Sequence, residues 1–153
     1  MKPKYTAFDV AKYFLSRAER EDQELLSNLK LQKLVYYAQG MHLAMRDAPL
    51  FGDRIEAWDY GPVVPDLYHF YKENGARGIP ADPTFDLDKI DGATLDFLDE
   101  IFDAFGQFSA IRLMQISHKD KCWEDAGSGE EISWPSMAKC LKKYLKNGKK
   151  KRS

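Results

Sequence analysis

The chain has 153 residues, of which 44% are hydrophobic and 31% charged, with a net charge of −1. That size and balance suit one soluble globular domain. They exclude any general attraction to nucleic acid and leave no apolar run of about 18 residues to cross a membrane.

Met1 to Thr6 lacks the apolar run of a secretory signal, so the expected location is the cytoplasm. Two cysteines, Cys122 and Cys140, make neither a metal-ligand spacing nor a disulfide framework. Thr6 reads as the N-cap of a first helix with Asp9 in its first turn, and Val10, Ala11, Phe14, Leu15 and Ala18 recur at helical spacing. Ser27 or Asn28 caps a long helix over 28–46. Its stripe is Leu31, Leu34, Val35, Ala38, Met41, His42 and Met45, and it is expected at the centre of the fold. Ala48-Pro49 ends it.

Leu50 to Trp58 alternates in part around a Gly52-Asp53 break, which allows a short two-stranded ribbon, with Trp58 packing it onto the long helix. Gly61-Pro62 makes a turn and Pro65 opens the next helix, which stops at Asn74-Gly75. Residues 75–91 read as a long loop. A helix follows over 94–105, then a short one capped by Ser109, a connector over 118–129, and a last helix with Ile132 and Met137 as a hydrophobic staple. The expectation is a mainly α fold. It is a single compact domain over 1–146 with five or six helices around the long central one, followed by a basic tail over 147–153.

The charges are segregated. Asp82, Asp86, Asp88, Asp91, Asp96, Asp99, Glu100 and Asp103 surround one base, Lys89, while seven bases and no acid lie between Lys142 and Arg152. Such patches can steer a partner, or simply solvate a helix face and a tail. The tail has no recognition helix or stacking platform beside it, so nucleic-acid binding is not expected. His42, His69 and His118 make no helical zinc pair, and no metal or cofactor is expected. Cys122, four residues from His118, offers a Cys–His hydrolase as an enzymatic alternative, against a plain packing role for both. No phosphate-cradling loop or nucleophile elbow is present, and the chain is expected not to be an enzyme.

The polar residues of the long helix point towards recognition instead, against a plain core-edge role for Tyr36 and Tyr37. Lys30, Lys33 and Tyr37 lie on one side at three- and four-residue spacing. With Asp59 and Tyr60 beside the Gly-Pro turn they form the expected partner-binding set, because amphipathic rings beside charges make good contact surfaces.

Ser27-Asn28-Leu29-Lys30-Leu31-Gln32-Lys33-Leu34-Val35-Tyr36-Tyr37-Ala38-Gln39-Gly40 is followed by Ile55-Glu56-Ala57-Trp58-Asp59-Tyr60-Gly61-Pro62-Val63-Val64. Together these segments resemble the Panacea domain of SocA-like and GepA-like, phage-associated proteins. Ser117-His118, Trp123 and Ile132-Ser133 extend the likeness, so the motif residues are Leu31, Gln32, Leu34, Tyr36, Trp58, Gly61, Pro62, His118 and Trp123. The resemblance implies a mainly helical antitoxin that neutralises a protein toxin by direct binding, the toxin being encoded by a neighbouring gene. One branch of the family implies an alternative, an adaptor that presents its toxin to a cytoplasmic protease.

Overall fold

A computed structural model describes residues 3–21 and 24–152, with the side chains of 146–152 outside the description. The first helix, α1 (Ala7–Arg20), starts at a reciprocal cap. The Asp9 N–H donates to Thr6 Oγ1 at 3.2 Å, and the Thr6 N–H donates to Asp9 Oδ2 at 3.0 Å. The central helix α2 (Asn28–Arg46) starts where Ser27 Oγ accepts the Lys30 N–H.

A hairpin of β1 (Glu56–Trp58) and β2 (Gly61–Val63) follows, antiparallel, with Trp58 opposite Gly61. Then come α3 (Pro65–Tyr71), two single 3₁₀ turns, α4 (Gly92–Phe105), α5 (Ala110–His118), α6 (Lys121–Asp125) and α7 (Trp134–Arg152). Asp91 and Ser109 cap α4 and α5 through their side chains. The mainly α expectation holds, and seven helices are described where five or six were expected. The added one is α6, a single turn inside the stretch read as a connector. The basic tail expected over 147–153 falls on residues whose side chains lie outside the description.

The ribbon sits later than the alternation suggested. Its turn is Asp59-Tyr60, because Gly61 takes φ +107, a left-handed conformation that favours glycine. The Gly52-Asp53 break serves a different purpose: Asp53 Oδ1 accepts the Ala7 N–H at 2.9 Å and ties this segment to the start of α1. The loop over 75–91 is fastened rather than free. Ile79 and Ile90 are buried, the Ile79 N–H donates to Leu26 O at 2.8 Å, and Lys12 and Lys89 pair with Asp82 and Asp9.

Every other long helix packs on α2, so the core surrounds it. Tyr36 and Tyr37, off the apolar stripe, are as fully buried as Leu31, Leu34 and Val35 on it. Met45, by contrast, is exposed near the helix end. Helix α7 packs close against Gly40, where an added Cβ would run into the buried side chain of Leu141. Gly40→Val is therefore expected to lower stability by about 1–3 kcal/mol through overpacking. Gly92→Ala, at a position with open space around it, should not. Urea denaturation of both variants compares the two.

Candidate functional site

The polar residues of the long-helix motif face inward, and most of them hold a loop. Asn28 donates to Tyr68 O at 3.1 Å. Gln32 donates to Asn28 Oδ1 at 3.0 Å and accepts the Val64 N–H at 2.9 Å. Gln39 donates to Phe51 O at 2.7 Å and accepts the N–H groups of Leu50 and Phe51 at 2.8 and 3.2 Å. All three residues are buried, and an unpaired amide there would cost about 1–3 kcal/mol. The helix and the loops around it are thus fixed together.

Lys33 is the extreme case. It has 0% exposure, and its Nζ donates to Pro62 O at 3.2 Å. Gly61 makes room for it, since a Cβ at Gly61 would lie 2.6 Å from Lys33 Cε and 2.7 Å from Ser117 Oγ. Burial pushes the ammonium down to about 7.

A second centre lies one helical turn further along α2. Asp120, at the start of α6 and also 0% exposed, accepts from Tyr36 at 2.9 Å and Tyr37 at 2.8 Å through Oδ2. Its Oδ1 accepts from Tyr144 at 2.9 Å and pairs with Lys143 Nζ at 2.8 Å. Burial, and then the Asp120 charge, hold all three phenols well above their usual range. This buried carboxylate ties α2, α6 and α7 together. Nothing local in the sequence marks Asp120, one of several acids in a polar stretch.

These placements divide the expected partner-binding set between the interior and the surface. Lys33 and Tyr37 are interior residues: one supports the hairpin and the other serves Asp120. Lys30 is half-buried and donates to Gly106 O at 2.7 Å, at the end of α4. Asp59 and Tyr60 form the exposed tip of the hairpin, Tyr60 at 68%. Trp58 is half-buried rather than a core plug. It packs edge-on against Tyr68 with ring centres 5.1 Å apart and stands between two clefts. The larger, about 310 Å³, runs between Leu29, Tyr60, Tyr68 and Lys72. The smaller, about 220 Å³, lies towards Trp123 and Glu124.

The tip is held from behind. Trp123 Nε1 donates to Trp58 O at 2.9 Å, His118 Nε2 lies 3.0 Å from Asp59 O, and the His118 and Trp123 rings stack. His118 and Cys122 therefore do not assemble as a nucleophile and base. The imidazole faces the hairpin, while Cys122 is buried beside Tyr36 and Cys140. Among the described residues no group of His, Cys, Asp and Glu is placed to hold a metal ion.

The buried ammonium and the Asp120 centre each make a prediction. An unfolded lysine keeps its proton up to about pH 10.5, whereas folded Lys33 releases it near 7. The charge thus destabilises the fold fully below about pH 7, and the penalty fades as pH rises towards 10.5. Wild-type stability relative to Lys33→Met should then rise by up to about 1.4 kcal/mol per pH unit between about pH 7.5 and 9.5. Denaturant titrations at several pH values read this slope. Asp120→Ala, which strands buried phenols, should cost about 3–5 kcal/mol, seen as a lower denaturation midpoint.

The comparisons with known proteins cover this same region. Residues 31–124, from Leu31 in α2 through Glu124 in α6, match the family model for the antitoxin SocA-like, Panacea domain. The chain is also 33% identical over 124 residues to the antitoxin SocA of Caulobacter vibrioides (strain NA1000 / CB15N), a match covering 71% of this chain. It spans 63% of that relative's length. No solved structure matches the chain significantly. The chain belongs to the SocA-like Panacea-domain antitoxin family.

Proposed function

We propose that this protein neutralises a protein toxin by direct binding, without chemistry of its own, and that the toxin docks on the hairpin tip. The observation that carries this reading is the exposed Tyr60 ring at 68%, set beside the apolar cleft of Trp58, Leu29 and Tyr68. Aromatic anchors beside a pocket are typical centres of binding energy. The tip is also well supported. Lys33 and Gln32 hold β2 and its exit from below, and Trp123 and His118 hold the turn from behind. Such preorganisation limits the ordering cost of association. The toxin is expected from a neighbouring gene.

The competing surface is the acidic 82–103 region. Much of its charge already serves the fold. Asp99 and Asp103 pair with Arg17, Asp91 accepts from Tyr5 and Lys4, and Asp82 pairs with Lys12. Asp96 and Glu100 remain exposed on α4.

Co-purification and calorimetry with the product of the adjacent gene test the proposal. Tyr60→Ala is expected to weaken binding by at least about 2 kcal/mol, roughly 30-fold, with an unchanged melting temperature. Unaltered binding by Tyr60→Ala, with loss in a double variant Asp96→Lys and Glu100→Lys, would move the interface to α4. Toxin that stays active in the purified complex but disappears in cells containing a particular protease would establish the adaptor mechanism instead.

A further inference from the structure

The two cysteines lie where α6 meets α7, and neither lines the clefts beside the hairpin tip. The Cys122 backbone N–H donates to Cys140 Sγ at 3.2 Å, and Tyr36 Oη lies 3.3 Å from Cys122 Sγ. Neither cysteine is in a disulfide. Their exposures differ: Cys122 is buried, whereas Cys140 is partly buried on α7. The charged groups facing the pair are Asp120, which opposes a thiolate, and Lys143, which favours one at Cys140. This is one partly exposed thiol that accepts the backbone N–H of a second, buried cysteine. Reactive and resolving cysteines have that arrangement.

We propose that Cys140 and Cys122 form an oxidation site for hydroperoxides, which closes into an intramolecular disulfide joining α6 to α7. In the first step the Cys140 thiolate attacks the distal peroxide oxygen. An S–O bond forms, the O–O bond breaks, and alkoxide or hydroxide leaves with the electron pair and takes up a proton from water. In the second step Cys122 attacks the Cys140 sulfenic sulfur, an S–S bond forms, and its thiol proton leaves with the sulfenic oxygen as water. The dithiol loses two electrons and the peroxide gains them. The neighbouring Cys122, with its backbone N–H on Cys140 Sγ, holds the Cys140 thiol below its usual range and so supports the ionisation, while Cys140 and burial push Cys122 up. The disulfide would form one residue from Trp123, the side chain that holds the hairpin turn through Trp58 O.

The test treats the reduced, full-length protein with hydrogen peroxide and follows intact mass and non-reducing peptide maps. The expected result is loss of two hydrogens, a Cys122–Cys140 linked peptide, and return to the starting mass with dithiothreitol. Cys122→Ser should instead accumulate a Cys140 sulfenic acid that dimedone traps, and Cys140→Ser should react slowly. Since Cys122→Ser can disturb the core, alkylation of wild-type Cys140 by iodoacetamide against pH provides a separate reading, with its midpoint expected below that of a free thiol. Intermolecular dimers, direct sulfinic acid formation in the wild type, or an ordinary alkylation midpoint would each overturn the proposal.

Discussion

The structure depends on the desolvated polar side chains of one helix. A helix enclosed on all sides would ordinarily be apolar all round, but α2 carries Asn28, Gln32, Lys33, Tyr36, Tyr37 and Gln39 into the interior. Each would be costly if left unpaired. Their partners come from elements distant in the chain: carbonyls at Phe51, Pro62 and Tyr68, N–H groups at Leu50, Phe51 and Val64, and the carboxylate of Asp120. The polar residues therefore act as a set of addresses. A loop that leaves α2 strands a buried donor or acceptor, which couples loop position to the integrity of the core.

The electrostatics follow the same division. Inside, Asp120 is enclosed by three phenols and the Lys143 ammonium, a fully partnered charge. Lys33, in contrast, is buried with a carbonyl acceptor and, among the described residues, no carboxylate in a salt bridge, so it keeps its proton weakly. Outside, the acidic stretch that looks like a steering patch in one dimension is partly consumed in three. Arg17 reaches from α1 to Glu21, Asp99 and Asp103 while its guanidinium lies over the Phe102 ring at 4.5 Å. Exposed pairs of this kind contribute little individually, and their main effect here is to orient α4 on α1.

A rigid interior of this type suits a protein that works by presenting a surface. The hairpin tip is small, and a two-stranded ribbon alone is marginal. Its shape is imposed by α2 below and by α6 behind, with the 129–132 segment bonded along β1. What projects is a tyrosine and an aspartate between two clefts, on a base with little freedom to rearrange.

The sequence alone specified every helix except α6, because caps and 3.6-residue periodicity are local. Thr6, Ser27, Asp91 and Ser109 start helices through bonds to residues three positions away. The Leu-Gln-Lys-Leu and Trp-Asp-Tyr-Gly-Pro motifs likewise marked the region that carries the family match. The inward or outward direction of their polar residues was decided only by tertiary structure. Lys33 and Tyr37 have the composition of a recognition surface, and a helical wheel places them off the apolar stripe. Their burial depends on acceptors 29 and 83 residues further along the chain. Asp120 was invisible for the same reason: its role comes from three tyrosines and a lysine that no short-range pattern brings together, and that meet only when α6 and α7 close on α2.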